Sequence, residues 1–348
     1  MSVLKAITPV GNQLRAAAQR KIDTKTKPLG ALGTLEDLAV HMSCIQADLN
    51  PQVRQKNLFV FAADHGITEE GVSAYPAEVT AQMVRNFLKG GAAINVLCRH
   101  HAIDLRIVDM GVNADLDDHP LLIRKKIRPG TRNFAVQEAM TRSETLDALV
   151  SGMEVFLNSH ARKPMDLVGL GEMGIGNTTS ASAIICAITG IPPAQATGRG
   201  TGVDNKGLDH KTKVITNALA FHRPDTADGL DILQKIGGYE IAGIAGAVLA
   251  GAMTRTAIVL DGLISTAAGL VASLLNPHAK GYLISGHKSV ETAQKAALDH
   301  LGLKPVVDLG MRLGEGTGAA LTMDTVDAAC RIMREMASFD EAGVSARS

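Results

Sequence analysis

Short apolar runs recur along the chain, and each one leads into a polar stretch that contains glycine. Five of these runs have the length of a buried strand and lack the alternation expected of a half-exposed one. A sixth run, KGYLISGHKS, has the same character. We therefore predict strands within residues 57–66, 103–112, 165–174, 255–262, 304–316 and 280–289.

Helical patterns lie between these runs, for example in residues 77–88, 178–188 and 290–301. Strands without alternation that are interleaved with helices indicate an α/β fold, in which helices cover both faces of a parallel sheet. In such sheets ligands bind beyond the carboxyl ends of the strands. Because the glycine-containing stretches fall at those ends, we predict that they form the ligand site.

The two ends of the chain are mainly helical and lack a strand of their own. We predict that residues 1–45 and residues 321–348 pack together as a small helical domain. Residues 46–320 would then form the large α/β domain that binds the substrates and carries out catalysis.

Composition and charge argue against several classes of protein. Hydrophobic residues make up 46% and charged residues 20% of the 348, as in ordinary globular proteins. The 35 basic and 35 acidic residues cancel, so no long-range field favours nucleic acid or a membrane surface. The apolar stretch 241–275 is interrupted by Arg255 and Asp261, which indicates buried elements rather than a membrane span. Four widely spaced cysteines and no export signal predict a reducing, cytoplasmic location.

The segment GLGEMGIGNTTSASAI, residues 169–184, is the richest in candidate chemistry. Its glycines let backbone N–H groups approach an anion, and a helix that opens with Asn or Thr caps at Asn177, Thr178 and Thr179 is a ready phosphate site. A structural turn between strand and helix explains the pattern equally well, because the glycine spacing is weak evidence and the P-loop lysine is missing. Glu172 fits either a ligand to ribose hydroxyls or a solvated turn residue.

A second segment, GRGTGVDNKGLDHKTKVI, places Arg199, Lys206, Lys211 and Lys213 beside glycines. In a chain of zero net charge, a local basic cluster of this kind fits recognition of a phosphate or a carboxylate. Each lysine is explained equally well as part of a solvated helix start. The stretch SGHKS adds the Ser289 hydroxyl at the end of another predicted strand.

Asp64 and His65 end the first predicted strand, and such a pair invites a metal-site or hydrolase interpretation. However, the eleven histidines form no HxH or HExxH cluster, and no GxSxG elbow follows a strand. We therefore predict no metal site and interpret His65 as structural. The loop with Tyr75 and Pro76, which leads towards Gln82, is a candidate wall for an aromatic substrate.

In MRLGEGTGAAL, residues 311–321, Glu315 stands in a frame of glycines. Most triplets of this kind are surface turns, and that interpretation stays open on the sequence of this segment alone. The alternative is a catalytic base on a loop whose glycines let a ligand approach the main chain closely.

All these segments resemble one family, the nicotinate-nucleotide–dimethylbenzimidazole phosphoribosyltransferases of cobalamin nucleotide-loop assembly. The similarity covers essentially the whole chain, in order. It runs through KPLGALGTLEDLA, FAADHGITEEGVSAYPAEVTAQMVRNFLKGGAAINVL, GLGEMGIGNTTSASAI, GRGTG, GGYEIAGIAGA, LISGHKS and DLGMRLGEGTGAAL.

The resemblance implies a homodimer without a cofactor, with a Rossmann-like large domain and a small domain built from both chain ends. It implies transfer of 5-phosphoribosyl from nicotinate mononucleotide to 5,6-dimethylbenzimidazole, which gives α-ribazole 5′-phosphate and nicotinate. The family's catalytic carboxylate maps onto Glu315. Its nucleotide-contacting positions map onto Glu172, Gly174, Gly176, Asn177, Thr178, Thr179, Arg199, Gly200, Gly202, Asp204, Lys211 and Ser289. Its base-binding positions map more loosely onto Tyr75, Pro76, Gln82 and Leu313.

This reaction needs one acid–base group. The leaving pyridinium is already cationic and requires no general acid, whereas the attacking benzimidazole loses a proton that Glu315 can accept. An apolar pocket should raise the pKa of this carboxyl group. A β-nucleotide donor and an α product fit a single displacement. The alternatives are another lower-ligand base, a non-catalytic nucleotide-binding protein, and a Rossmann oxidoreductase, which would need an early glycine fingerprint with an acidic partner.

Overall fold

The computed structural model of the protein describes residues 6–200 and 202–345, and their centre is a parallel sheet. Its strands are β1 Lys56–Ala63, β2 Asp104–Gly111, β3 Leu122–Arg124, β4 Leu167–Met173, β5 Ala257–Leu260, β6 Leu283–His287 and β7 Pro305–Val307. They lie in the order β3-β2-β1-β4-β5-β6-β7, and every neighbouring pair is parallel. The predicted α/β class with a Rossmann-like sheet is confirmed.

All six predicted strands are present, and β3 is an addition to them. β3 has only three residues, none of which is buried, and it lies at the edge of the sheet. A half-exposed run of this length carries too little apolar pattern to stand out from a loop. The central strands β4 and β5, by contrast, are almost wholly buried, because helices cover both of their faces.

The helices of the described residues alternate with the strands and include the three predicted segments as α3, α6 and α12 in the following list. Their bounds are α1 Arg15–Asp23, α2 Thr34–Gln46, α3 Val79–Lys89, α4 Ala93–His100, α5 Arg142–Arg162, α6 Asn177–Thr189, α7 Pro193–Ala196, α8 Asn205–His222, α9 Gly229–Ile236, α10 Tyr239–Met253, α11 Leu263–Leu275, α12 Thr292–Leu301, α13 Thr317–Glu335 and α14 Phe339–Ala342. Short 3₁₀ helices span Gly66–Glu70 and Pro277–Tyr282.

Two helices organise the layers of the fold. α10 packs across β1, β2, β4 and β5, with α5 and α11 beside it. α13 covers β4 to β7, with α2 and α4 packed on its outer side. The apolar stretch 241–275 forms most of α10, all of β5 and α11. In the part of the chain that the structure describes, no helix is long and apolar enough to cross a membrane.

The chain ends meet through α1, α2 and α13. α1 packs on α2, α2 packs on α13, and Lys25 forms a β-bridge with Ser338. α13 crosses residue 321 without a break, and one apolar core extends from the sheet into these helices. The predicted division into two domains stays a prediction, and its residues 1–5 and 346–348 lie outside the described residues.

The strand order reverses next to β1, because the chain continues from β1 to β2 on one side and later returns to β4 on the other. A reversal of this kind opens a crevice at the carboxyl ends of the strands, where ligands bind in doubly wound folds. The loops that follow β4, β5, β6 and β7 border this crevice in the structure.

Candidate active site

A cleft of about 630 Å³ opens at the carboxyl ends of the strands. Its size suits a nucleotide-like ligand. The loops after four strands contribute to it, and so do the first turns of α4, α6, α11 and α13. The residues that line the cleft are Tyr75, Ala93, Leu97, Glu172, Met173, Gly174, Ile175, Asn177, Thr178, Gly200, Gly262, Leu263, Ile264, His287, Ser289, Glu291, Met311, Arg312, Leu313, Gly314, Thr317 and Leu321.

The loop before α13 holds three consecutive residues in the left-handed region of backbone space. The φ angles of Gly314, Glu315 and Gly316 are 84°, 63° and 88°. Glycine adopts such angles freely, but for a residue with a side chain they cost about 1–2 kcal/mol. A glutamate held there therefore points to a functional constraint on its carboxylate.

Asp261, which follows β5, fastens this loop. Its Oδ2 accepts a hydrogen bond from the Gly316 N–H at 3.1 Å, and its Oδ1 accepts from Gly318 and Ala319 at 2.6 and 3.0 Å. These are N–H groups at the start of α13, where a carboxylate is favoured by the unpaired donors and by the helix dipole. His287 Nε2 lies 3.9 Å from Oδ1 of the same carboxylate.

The Glu315 carboxylate lies just behind the wall of the cleft. The residue is only 5% exposed, while its neighbours Gly314 and Thr317 line the cleft. Burial, and next the charge of Asp261, raise the pKa of Glu315 to about 7, against a hydrogen bond from the Ile94 backbone N–H. Its Oε2 has no hydrogen-bond partner among the described residues. The group can therefore accept a proton near neutral pH.

Glu172 lines the cleft on the other side of the same loop. A Cβ atom on Gly314 would lie 2.3 Å from Glu172 Oε1, so the two segments touch, and Asn177 Nδ2 donates a hydrogen bond to Oε2. Burial raises the pKa of Glu172 to about 8, and the nearby carboxylates of Asp261, Glu240 and Glu315 add to the rise. At neutral pH this acid is mostly protonated, so it can donate a hydrogen bond to an anion without repelling it.

The start of α6 forms a corner for an anion. The N-cap is Gly176, with φ of 93°, and no side chain caps the helix, so the prediction of Asn or Thr caps is wrong. Asn177 is the first helical residue, and its side chain donates a hydrogen bond to Glu172 instead of capping the helix. Thr178 faces the cleft, whereas Thr179 is buried away from it. The Asn177 and Thr179 N–H groups donate to the Gly174 and Gly176 carbonyls at 3.1 and 3.0 Å. The Thr178 N–H is therefore the donor at the start of α6 that is left to bind a ligand.

Lys211 reaches this corner from α8. The residue is 1% exposed, and its Nζ donates hydrogen bonds to Thr178 Oγ1 at 2.7 Å and to the Gly198 carbonyl at 3.4 Å. Burial lowers the pKa of Lys211 to about 8, although the charge of Glu291 opposes this. The ammonium group therefore stays mostly charged at neutral pH and lies directly behind Thr178.

The loop 198–204 borders the same corner, but the side chains of its charged residues form hydrogen bonds with neighbouring groups of the loop and of α8. Arg199 donates hydrogen bonds to the Val203 carbonyl and to Asn205, and Asp204 caps α8 by accepting from the Gly207 N–H at 2.8 Å. Gly200 lines the cleft, while Gly202 lies beside it. Thr201, which is inside the predicted nucleotide segment, lies outside the described residues.

One wall of the cleft is apolar. It contains Tyr75, which is 56% exposed, Leu313, Leu97 and Ala93. Of the other predicted base-binding residues, Pro76 and Gln82 are exposed and do not line this cleft.

His65 packs under the loop after β4. Its Nε2 forms a fully buried hydrogen bond with Glu240 Oε1 at 2.6 Å, and a Cβ on Gly174 would lie 3.2 Å from its ring. The Asp64 carboxylate accepts the Asn113 backbone N–H at 2.7 Å. Neither residue lines the cleft, and both contacts are structural. Within residues 6–200 and 202–345 there is no group of three or more His, Cys, Asp or Glu side chains that could hold a metal ion.

Three acidic or imidazole side chains of the site lie outside the predicted set: Asp261, His287 and Glu291. The first two end predicted strands, which is a usable signal, because the carboxyl ends of parallel strands meet at one edge. Glu291 shows no such signal. It reaches the cleft by accepting a hydrogen bond from the Gly200 N–H at 2.9 Å, a contact between residues 91 positions apart.

Comparisons with known proteins show the family of this chain. A family model described as phosphoribosyltransferase matches residues 7–344. The chain is 51% identical to the nicotinate-nucleotide–dimethylbenzimidazole phosphoribosyltransferase of Geobacter sulfurreducens, over 98% of this chain and 97% of the relative. It is also 51% identical to the protein of that name from Roseiflexus sp., over 98% and 96%.

A solved structure shows the same similarity. The crystal structure of CobT from Thermus thermophilus superposes with a TM-score of 0.93 and 43% identity, over 96% of this chain and 100% of that one. Matches of this length and identity show that the chain belongs to the nicotinate-nucleotide–dimethylbenzimidazole phosphoribosyltransferase family and is a pentosyl-transferring enzyme.

Proposed function

We propose that the protein transfers the 5-phosphoribosyl group of nicotinate mononucleotide to 5,6-dimethylbenzimidazole, giving α-ribazole 5′-phosphate and nicotinate. The names of its relatives describe these two substrates. The observation that carries the proposal is the buried Glu315 carboxylate, with its pKa raised to about 7, beside a cleft that has an anion corner and an apolar wall.

Glu315 acts as the general base. A benzimidazole nitrogen attacks C1′ of the ribose, and the proton on the other ring nitrogen becomes acidic as positive charge develops. That proton passes to Glu315, whose raised pKa suits a base that works near neutral pH, a role typically giving about 10²–10⁴-fold. The glycines on both sides of Glu315 leave room for the edge of a flat ring.

The reaction is a single displacement. The bond from C1′ to the pyridinium nitrogen breaks as the bond to the entering nitrogen forms, and its electron pair neutralises the departing ring as nicotinate. Attack from the face opposite the leaving group converts the β-nucleotide into the α product. Holding both substrates in line supplies much of the remaining rate.

The phosphate of the donor occupies the corner formed by the start of α6. Lys211, Thr178 and the Gly174 to Gly176 turn surround that corner, and the mostly protonated Glu172 lies beside it. Gly200 and Ser289 contribute from the neighbouring loops.

The heterocycle occupies the apolar wall of Tyr75 and Leu313. Pro76 and Gln82 belong to the same chain segment as Tyr75 but do not line the cleft. A wall of apolar contacts discriminates weakly by one methyl group, so other benzimidazoles are the first alternative substrates to compare. We further propose that the enzyme works as a homodimer in the cytoplasm, on the strength of the family resemblance.

The test is the variant Glu315→Gln, which keeps the shape of the side chain but cannot accept the proton. We expect turnover to fall by about 10²–10⁴-fold, while binding of nicotinate mononucleotide stays within about twofold of wild type. Free nicotinate and the riboside product are quantified by chromatography, and nucleotide binding is measured by calorimetry.

Glu335→Gln is the matched control, because it makes the same change at the exposed end of α13. Near-normal turnover in Glu315→Gln would remove this residue from the mechanism. Absence of nicotinate release by the wild-type enzyme, despite binding of both substrates, would contradict the proposed reaction itself.

A further inference from the structure

One cation faces the cleft without a partner among the residues that the structure describes. Among the described residues that line the cleft, Arg312 is the only arginine or lysine. It forms no salt bridge or hydrogen bond with any described residue. Lys211, the other cation nearby, is already bonded to Thr178 and to the Gly198 carbonyl. The guanidinium group of Arg312 is thus free to bind a ligand.

The side chains of Glu315 and Arg312, both in the loop before α13, point towards different walls of the cleft. The Glu315 carboxylate is turned towards α4, where the Ile94 N–H donates to it. Arg312 is turned towards the loop 198–204, since its Nη1 lies 4.0 Å from the position that a Cβ on Gly202 would occupy. In a displacement at C1′, the entering and leaving rings lie on opposite faces of the sugar. The arrangement leaves room for a base beside Glu315 and for a leaving ring on the side of Arg312, next to the loop that also borders the phosphate corner.

The proposed donor carries two anionic groups, a phosphate and the carboxylate on its pyridine ring. The start of α6 with Lys211 accounts for the phosphate, which leaves the carboxylate without a partner. A guanidinium group matches a planar carboxylate with two parallel hydrogen bonds, whereas a neutral carboxamide cannot form the same charged pair.

We propose that Arg312 binds the ring carboxylate of the donor and thereby selects the acidic nucleotide over its amide. The assignment rests on the proposed function, and it makes Arg312 a specificity-determining residue for the leaving group. The same contact holds the departing nicotinate ring in line with C1′ while the bond to the entering base forms.

The test compares nicotinate mononucleotide with nicotinamide mononucleotide, which keeps the phosphate and the ribose but has no ring carboxylate. For Arg312→Gln we expect kcat/KM with the acidic nucleotide to fall about 10- to 100-fold, the range for hydrogen bonds to charged groups. With the amide nucleotide it should stay within about twofold. Arg312→Lys should recover part of the loss, because it restores the charge without the planar fork.

Arg331→Gln serves as the control, since it removes an exposed arginine from the far part of α13. Equal losses with both nucleotides in Arg312→Gln would overturn the assignment and place the side chain at the phosphate or in the structure of the loop. No loss with either nucleotide would overturn it as well.

Calorimetric titration of each nucleotide, without the base, separates this inference from the proposed reaction. If wild type binds the acidic nucleotide more tightly and Arg312→Gln loses that preference, the assignment stands even when no nicotinate is released. If the two proteins bind both nucleotides alike, the assignment fails even when turnover is normal.

Discussion

Gly171 offers the sharpest test of how the fold positions Glu315. This glycine lies in β4, with its missing side chain directed at the loop before α13. A Cβ atom built on it would lie 2.4 Å from the Gly316 nitrogen and 2.5 and 2.6 Å from the carbonyl carbon and oxygen of Glu315. All three are backbone atoms, so no side chain can rotate away to make room.

The size of the effect follows from these distances. Carbon atoms in contact prefer separations of about 3.5–4.0 Å, so Gly171→Ala must push the loop away by about 1 Å. Overpacking of this kind costs about 1–3 kcal/mol of stability. A displacement of about 1 Å at a catalytic group can cost about 10²-fold in rate. We therefore expect kcat to fall by about two orders of magnitude in a variant that still folds.

Gly169 provides a matched control on the same strand and the same face of the sheet. A Cβ there would lie 3.0 Å from Leu58 Cδ1 and 3.2 Å from Ala319 Cβ, so its tightest contact is with a side chain that can adjust. We expect Gly169→Ala to lose less stability than Gly171→Ala and to keep kcat within a few-fold of wild type.

The assays are nicotinate release under saturating substrates and urea unfolding of both variants. Gly171→Ala with near-normal kcat would refute the view that β4 sets the position of the Glu315 backbone. An equal loss of kcat in Gly169→Ala would also refute it, because the effect would then follow from any added methyl group on this strand.

Three further predictions concern the charged groups. The pKa of Glu172 is raised from 4.5 to about 8, so between these values the native state binds more protons than the unfolded state. The free energy of unfolding should therefore fall as the pH rises from about 4.5 to about 8. Urea unfolding of Glu172→Gln at several pH values should show a smaller fall. Asp261→Asn weakens the three hydrogen bonds that hold the loop, and urea unfolding should show a loss of about 1–3 kcal/mol in the free energy of unfolding. The kcat of this variant should fall by a larger factor than its KM changes. Lys211→Ala should raise KM for nicotinate mononucleotide about tenfold or more and leave KM for the base nearly unchanged, and equal changes in both constants would contradict the phosphate assignment.

The left-handed turn at residues 314–316 explains why a strained glutamate persists in this fold. Three backbone N–H groups converge on Asp261, and β4 presents a glycine at the point where the loop passes, so the conformation is set from two sides. The strain is therefore held by contacts that lie outside the loop itself.

Much of this architecture follows from the sequence alone. Buried parallel strands have a recognisable signature, since continuous apolar runs such as those of β1 and β4 are typical of strands with both faces covered. The ligand site could be assigned to the glycine-rich ends of the strands for the same reason. Motifs that keep their order along the chain also make Glu315 and the segment from Glu172 to Thr179 candidates for the site.

Only the tertiary structure decided which of these groups meet and in what electrostatic state. The pKa of Glu315 depends on burial and on Asp261, a residue 54 positions earlier in the chain. Arg312 lies beside Gly202, which precedes it by more than 100 positions. The Gly176 cap and the three-residue strand β3 likewise had no local signal. The spacing of apolar residues along a segment indicates its secondary structure. The burial and the electrostatic surroundings of a side chain are set instead by distant segments that packing brings within a few ångströms.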